Sequence, residues 1–142
     1  MPDDVVVKGC TCFRLRRTTR KVTHLYDIHL QADGLTLTQY SLLSHLIRSP
    51  SPTIQQLAAS MGMDRTSLTR TLAPLVARDM ITIAPGDDRR SKIVQLTPNG
   101  RQIRDEAEGH WLAAQDEIAE RLGANDLADL HRLLDRAFQR LS

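Results

Sequence analysis

The segment Thr53-Ile54-Gln55-Gln56-Leu57-Ala58-Ala59-Ser60-Met61-Gly62-Met63-Asp64-Arg65-Thr66-Ser67-Leu68-Thr69-Arg70 decides the fold. Threonine and aspartate side chains accept hydrogen bonds from the free N–H groups at a helix start, so Thr53 and Asp64 mark two beginnings. Ile54, Leu57, Ala58 and Met61 fall on one side of a short helix over Ile54–Met61, and Gly62 stops it. Asp64 caps a second helix running from Arg65 to about Asp79. Its Leu68, Leu72, Leu75 and Val76 are expected to face inward, and Arg65, Thr66, Thr69, Arg70 and Ala73 outward. Two helices joined by three residues that include glycine read as a helix-turn-helix. Pro74 deletes one bond to the Arg70 carbonyl and should bend the second helix without ending it, because the apolar pattern continues beyond it.

Downstream, Met80-Ile81-Thr82-Ile83 and Ile93-Val94-Gln95-Leu96 are β-prone runs separated by the turn cluster Pro85-Gly86-Asp87-Asp88. They read as a hairpin. Its tip, with Asp87, Asp88, Arg89, Arg90, Ser91 and Lys92, is too polar to pack and projects as a wing. Thr97 caps the next helix, with Pro98 in the favoured first position, and Ile103, Ala107, Trp111, Ala114 and Ile118 carry its stripe to Leu122. Gly123 ends that helix. Asn125 or Asp126 starts the last one, whose Leu127, Leu130, Leu134, Phe138 and Leu141 form a long apolar stripe. Upstream, Leu15, Val22, Leu25, Tyr26 and Leu30 recur at helical spacing from Cys12 to about Ala32. Gly34 ends this first helix, and Thr38 caps a second one built on Leu42, Leu43, Leu46 and Ile47. Ser49-Pro50-Ser51-Pro52 then closes the second helix. The fold class is mainly α with a small β component (α+β): a winged helix-turn-helix with a two-stranded wing and helices on either side.

A chain of 142 residues with 41% apolar and 25% charged side chains has the length and balance of one globular domain, which excludes two large ones. Five aromatic residues among many Leu and Ala indicate an aliphatic, helical core and exclude a β-sandwich. No window approaches the roughly 18 consecutive apolar residues of a membrane helix. The first twenty residues hold Asp3, Asp4 and five basic side chains in place of an apolar signal core, so the expected location is cytoplasmic, with no membrane partner.

The net charge of +2 conceals a strong division along the chain. Residues 1–23 carry six basic and two acidic side chains, and residues 64–104 carry eight and four, so each stretch is +4. Residues 24–63 are −1 and residues 105–142 are −5. The second basic stretch coincides with the helix-turn-helix and wing. A helix fits the DNA major groove, where the side chains of its first turns reach base edges. Arg65 or Arg70 would read guanine, while Thr66, Ser67 and Thr69 hold phosphates and set register. Arg89, Arg90 and Lys92 supply the positive tip that a narrow minor groove attracts, with Asp88 available to orient an arginine by an ion pair. The plain alternative for each feature is a solvated surface; their order along the chain favours DNA.

With these residues in view, the chain resembles the MarR-type winged-helix transcriptional regulators over essentially its whole length. Leu35-Thr36-Leu37-Thr38-Gln39-Tyr40 is similar to that family's second-helix opening, and Ile54–Ala58 with Met63–Arg70 is similar to its helix-turn-helix. Asp88-Arg89-Arg90-Ser91-Lys92 carries the Asp-x-Arg wing signature. Leu96-Thr97-Pro98-Asn99-Gly100 carries the Leu-Thr-x-x-Gly exit. The resemblance implies a homodimer whose terminal helices interlock while two winged domains address a palindrome, with Thr38, Ser91 and Lys92 joining the DNA-facing set. On that plan residues 1–33 and 98–142 form the dimerisation region, and residues 34–97 bind DNA. Phe13, Leu15, Ile118, Leu122, Leu130, Leu134, Phe138 and Leu141 supply more apolar surface than a monomer of this shape would cover, which a two-fold interface would bury. The expected activity is repression at a pseudo-palindromic operator, relieved by a small-molecule or oxidant effector.

Cys10 and Cys12 cannot make a disulfide framework. Beside Arg14, Arg16 and Arg17 they are candidate redox thiols, against the blander reading of inert exposed or buried cysteines. His24, Tyr26, His110 and Trp111 are candidates to line the cavity in which the family admits small aromatic ligands, although Trp111 also suits a core. The five histidines have no metal-ligand spacing, so neither a metal nor a cofactor is expected. Glycine-rich phosphate loops, GxSxG and HExxH are absent from the sequence, which argues against an enzyme. The competing reading is a winged-helix protein-interaction adaptor, which has no need of a basic wing tip.

Overall fold

The computed structural model describes residues 9–142. Its elements are α1 (Thr11–Leu30), a 3-10 turn at Gln31–Asp33, α2 (Leu37–Arg48), α3 (Ile54–Met61) and α4 (Arg65–Ala77). They continue with β1 (Ile81–Pro85), β2 (Lys92–Leu96), α5 (Pro98–Leu122) and α6 (Ala124–Leu141). The chain divides into two compact units. One runs from Leu30 to Gly109, and the other joins the residues up to His29 with His110–Ser142.

In the first unit, the N-cap of α2 is Thr36 and not Thr38. Thr36 Oγ1 accepts from the Gln39 N–H at 3.2 Å, and Gln39 Oε1 accepts from the Thr36 N–H at 3.0 Å. The reciprocal pair satisfies two helix-end donors, and of the two threonines only Thr36 stands three residues before a glutamine. Thr53 and Gln56 repeat the device at α3, at 3.1 and 2.9 Å. Gly62 closes α3 in the left-handed conformation, φ 63°, as the helix-turn-helix reading required.

Asp64 caps α4, which passes through Pro74 and ends at Ala77, two residues before the expected Asp79. Asp79 is instead left-handed (φ 56°), and the Met80 N–H returns to the Leu75 carbonyl at 2.9 Å. Leu68, Leu72 and Leu75 are buried, but Val76 is 42% exposed, contrary to expectation. One residue past Leu75 is a further 100° around the helix, which carries Val76 off the inner line. With Leu42, Leu43, Leu57, Met80 and Val94, the α4 leucines form an almost wholly aliphatic core. Each fully buried leucine contributes roughly 2 kcal/mol.

β1 and β2 pair antiparallel, with Ile81 opposite Leu96 and Ile83 opposite Val94. Pro85 opposite Lys92 is the last pair, so both residues belong to the strands and the turn shrinks to Gly86–Ser91. Thr53 bridges Ile93, and the Val94 N–H donates to the Pro52 carbonyl at 2.9 Å, which covers the outer edge of β2.

In the second unit, Tyr26, Ala114 and Ile118 are buried, and His29 Nε2 lies 2.7 Å from Glu117 Oε2. Ile118, expected at a dimer surface, therefore sits in the chain's own core. α6 starts at Ala124, earlier than Asn125 or Asp126, with Gly123 (φ 84°) at its N-cap and no side-chain cap. It buries no residue. Phe138 is 67% and Leu141 86% exposed. Among the described residues no helix is long and apolar enough to cross a membrane.

Candidate nucleic-acid interface

α4 presents its N-terminal half outward. Arg65, Thr66, Thr69 and Arg70 are exposed and Ser67 is half-buried. Leu68, Leu72 and Leu75 hold the opposite side against the core, so burial of one face dictates what the other displays. Asp64 Oδ1 accepts the Ser67 N–H and Asp64 Oδ2 accepts the Ser67 hydroxyl, each at 2.8 Å. These bonds hold the Asp64 carboxyl below its ordinary value. The Thr69 hydroxyl donates to the Arg65 carbonyl at 2.9 Å. Ser67 and Thr69, expected to hold phosphates, thus have their hydroxyl hydrogens committed within the chain. They offer only acceptor oxygens, which a phosphate cannot use as donors. The charged donors exposed on this face of the helix are Arg65 and Arg70, with Thr66 beside them.

Thr38 lies half-buried in the first turn of α2. Arg78 and Arg104, basic residues of the same charged stretch, are engaged inside the unit. Arg78 Nη1 donates to the Gly34 carbonyl at 2.6 Å. Arg104 stacks 5.2 Å above the Tyr40 ring and donates from Nε to Ser44 at 3.0 Å. The basic side chains of this stretch left facing outward are Arg65 and Arg70 on α4, Arg89, Arg90 and Lys92 on the wing, and Arg101 on α5.

The turn is built by its own side chains. Gly86 N–H donates to the Ser91 carbonyl and Ser91 N–H to the Asp88 carbonyl, both at 2.9 Å. Asp88 Oδ1 accepts the Arg90 N–H at 3.2 Å, and Ser91 Oγ donates to the Asp88 carbonyl at 2.9 Å. A Cβ on Gly86 would stand 2.5 Å from Ser91 Oγ, so a larger residue there would have to turn the Ser91 hydroxyl away from the Asp88 carbonyl. Asp88 was expected to orient an arginine by an ion pair; it binds the backbone of Arg90 instead. An aspartate reaches the N–H two residues on without ordering a long side chain. Arg89 and Arg90 stay exposed at the tip, and Lys92 stays exposed on β2, which follows it.

Cys10 and Cys12 are both exposed free thiols at the start of α1, whose first turn holds no acidic residue. His24 is exposed and Tyr26, two residues on, is buried, with its phenol pushed up by that burial. Two residues turn a helix by 200°, so these two side chains leave α1 on opposite sides. His110 is exposed and Trp111 half-buried. A cleft of about 620 Å³ in the first unit is lined by Leu46, Pro50, Thr82, Leu96, Pro98 and Arg101 among others, and by none of those four. Of the remaining dimer candidates, Phe13, Leu15, Leu122 and Leu134 are exposed and Leu130 is half-buried.

The profile of the MarR family matches residues 33–91, the span from the turn before α2 through the wing tip. The chain is also 32% identical to the M. tuberculosis transcriptional regulator MosR, solved in complex with DNA. That match covers 91% of this chain and 98% of MosR, with a TM-score of 0.76. The chain belongs to the MarR family. This MarR-family regulator is also 26% identical over 119 residues to an uncharacterised HTH-type transcriptional regulator, YhbI, of Bacillus subtilis, covering 83% of the chain and 77% of YhbI. It is 25% identical to the transcriptional repressor CouR bound to a 23-mer DNA duplex, over 90% of the chain and 92% of CouR, with a TM-score of 0.80. The family and these relatives are transcriptional regulators, not enzymes.

Proposed function

We propose that this MarR-family regulator is a homodimeric, sequence-specific repressor, cytoplasmic like the DNA it addresses, that binds a pseudo-palindromic operator and is released by an effector. One observation carries the reading. Arg65, Arg70, Arg89 and Arg90 are exposed on the candidate reading helix and the wing, and among the described residues none is drawn into an intrachain ion pair. Arg65 and Arg70 face bases, with Thr66 alongside. Arg89, Arg90 and Lys92 approach the minor groove and its phosphates, with Ser91 and Asp88 shaping the loop and Thr38 at the flank. Residues 34–97 are the DNA-binding part, and residues 1–33 and 98–142 the dimerisation part. The unburied stripe of α6, with Leu134, Phe138 and Leu141, supports a second copy as its cover, together with Phe13, Leu15, Leu122 and Leu130. The effector is a small aromatic ligand or an oxidant acting at Cys10 and Cys12, whose exposure leaves them open to attack.

The test is fluorescence anisotropy of the reduced protein on DNA from upstream of its own gene, against scrambled DNA, at two salt concentrations. Nanomolar, salt-sensitive binding about a thousandfold tighter than on scrambled DNA supports the reading. Weak binding, equal on both and on sites sought in random DNA, rejects it, and salt-independent capture of a protein partner favours an adaptor. Peroxide that releases the native chain and Cys12→Ser equally removes the thiol effector. A monomer in sedimentation at micromolar concentration removes the dimer.

A further inference from the structure

The chain leaving β2 is fastened to the chain leaving α4. Thr97 donates its hydroxyl to the Asp79 carbonyl at 2.6 Å and its N–H to the Met80 carbonyl at 3.0 Å. The same hydroxyl oxygen accepts the Gly100 N–H at 2.9 Å, which makes Thr97 the cap of α5. Two residues on, the Asn99 amide nitrogen stands 3.3 Å from the carbonyls of both Arg78 and Asp79. Gly100 completes the junction: a Cβ there would overlap the Met80 carbonyl oxygen and come within 2.9 Å of Leu96 Cδ1.

A helix ends with carbonyls that have no partner of their own, and α4 ends with Asp79 in a left-handed conformation that a non-glycine residue holds only when neighbours enforce it. The Met80 N–H that returns to the Leu75 carbonyl closes this end locally, and further donors come from about twenty residues downstream, on the far side of the wing. Apart from them, the end of α4 is joined to the hairpin by backbone bonds, from Met80 N–H to the Leu75 carbonyl and from Thr97 N–H to the Met80 carbonyl, and by the core packing of Met80, Ile81 and Val94. With them, both strands of the wing are anchored to the end of the reading helix.

We infer that Thr97 and Asn99 are positioning residues for DNA recognition, holding the reading helix and the wing in one frame so that base edges and backbone are met together. This rests on the DNA-binding role proposed above. Specific binding requires helix and wing in register at once, whereas non-specific binding needs only the basic side chains near phosphates. The two residues should therefore act on one and not the other.

The test uses a duplex selected from random DNA by the native full-length chain, with a scrambled duplex of equal length as reference. Thr97→Val keeps the shape and the N–H but removes the hydroxyl, Thr97→Ser restores it, and Asn99→Ala removes the amide. Asn99 is exposed, so its variant keeps the comparison open should Thr97→Val fail to fold. Thr97→Val and Asn99→Ala are expected to lose about tenfold on the selected duplex and less than about twofold on the scrambled one, with Thr97→Ser close to native on both. Equal losses on both duplexes would mean only a smaller folded fraction and overturn the inference, as does unchanged binding on both. Failure of the native chain to select any sequence overturns the DNA-binding role itself, and this inference with it.

Discussion

Asp64 and Ser67 are joined twice, the carboxylate of one taking both the N–H and the hydroxyl of the other at 2.8 Å. The pair closes the first turn of α4, from which Arg65 and Thr66 project. Removing the acceptor in Asp64→Ala should fray that turn and lower the melting temperature by about 2 to 4 °C, while Asp64→Asn, an equally good cap, stays near native. Thermal unfolding followed by circular dichroism distinguishes them; equal melting of all three proteins would show that the cap contributes nothing.

Arginines of the helix and of the wing should separate by what they read. Arg65→Ala or Arg70→Ala is expected to cost about 1 to 3 kcal/mol on the operator and to relax preference at one base position. Arg89→Ala or Arg90→Ala should weaken binding on every sequence alike and reduce the salt slope by about one. Titrations on the operator and on single-base variants, at several salt concentrations, decide the matter. A wing substitution that changes base preference would contradict the division.

Two glycines of α5 should respond to alanine with opposite signs. Gly100→Ala drives a methyl into the Met80 carbonyl, in backbone that has little room to yield, and should cost about 3 kcal/mol or leave the chain unfolded. Gly109, in the same helix, has nothing within 4 Å of an added Cβ, so Gly109→Ala should stabilise by about 0.5 to 1 kcal/mol. Urea unfolding of the two variants beside the native chain measures both.

Glu117 carries a pH dependence. Its hydrogen bond with His29 at 2.7 Å, with Arg121 at 2.8 Å as the second partner, holds its carboxyl below the ordinary value of 4.5. A depressed carboxyl pKa means that the unfolded chain binds the proton more readily. The stabilisation is therefore present above the ordinary value and is lost as pH falls through the lower, folded one. The melting temperature of the native chain should drop more steeply than that of Glu117→Gln between about pH 5 and pH 3. Parallel curves would show that the pair adds nothing in solution.

Much of this was legible in the sequence, because helix ends and apolar spacing are local properties. Thr53, Gly62, Asp64 and Pro98 occupy the positions their chemistry indicated, and α3 has the predicted limits. Thr36 and not Thr38 is the cap of α2, and the two threonines, two residues apart, look alike in the sequence until the partner Gln39 is counted. The arginines and the wing were readable as composition in order, but the engagement of the Ser67 and Thr69 hydroxyls was not, because rotamers decide it. Least visible was the tie from Thr97 and Asn99 to Arg78 and Asp79, which joins residues some twenty positions apart. The Leu-Thr-x-x-Gly run recorded that something mattered there without saying what it touched.

Of the two passages between the compact units, one falls at the last residue of α1, at His29–Leu30, and the other inside α5, at Gly109–His110. On the α5 side, the part that would read DNA has no seam at which it can be lifted out. A fragment spanning residues 30–109 would forfeit the turns leading into Leu30 and would end α5 after Gly109 with its last carbonyls uncapped. It is not an interchangeable cassette, and a chimaera that borrows the helix-turn-helix and wing will have to borrow α5 as well.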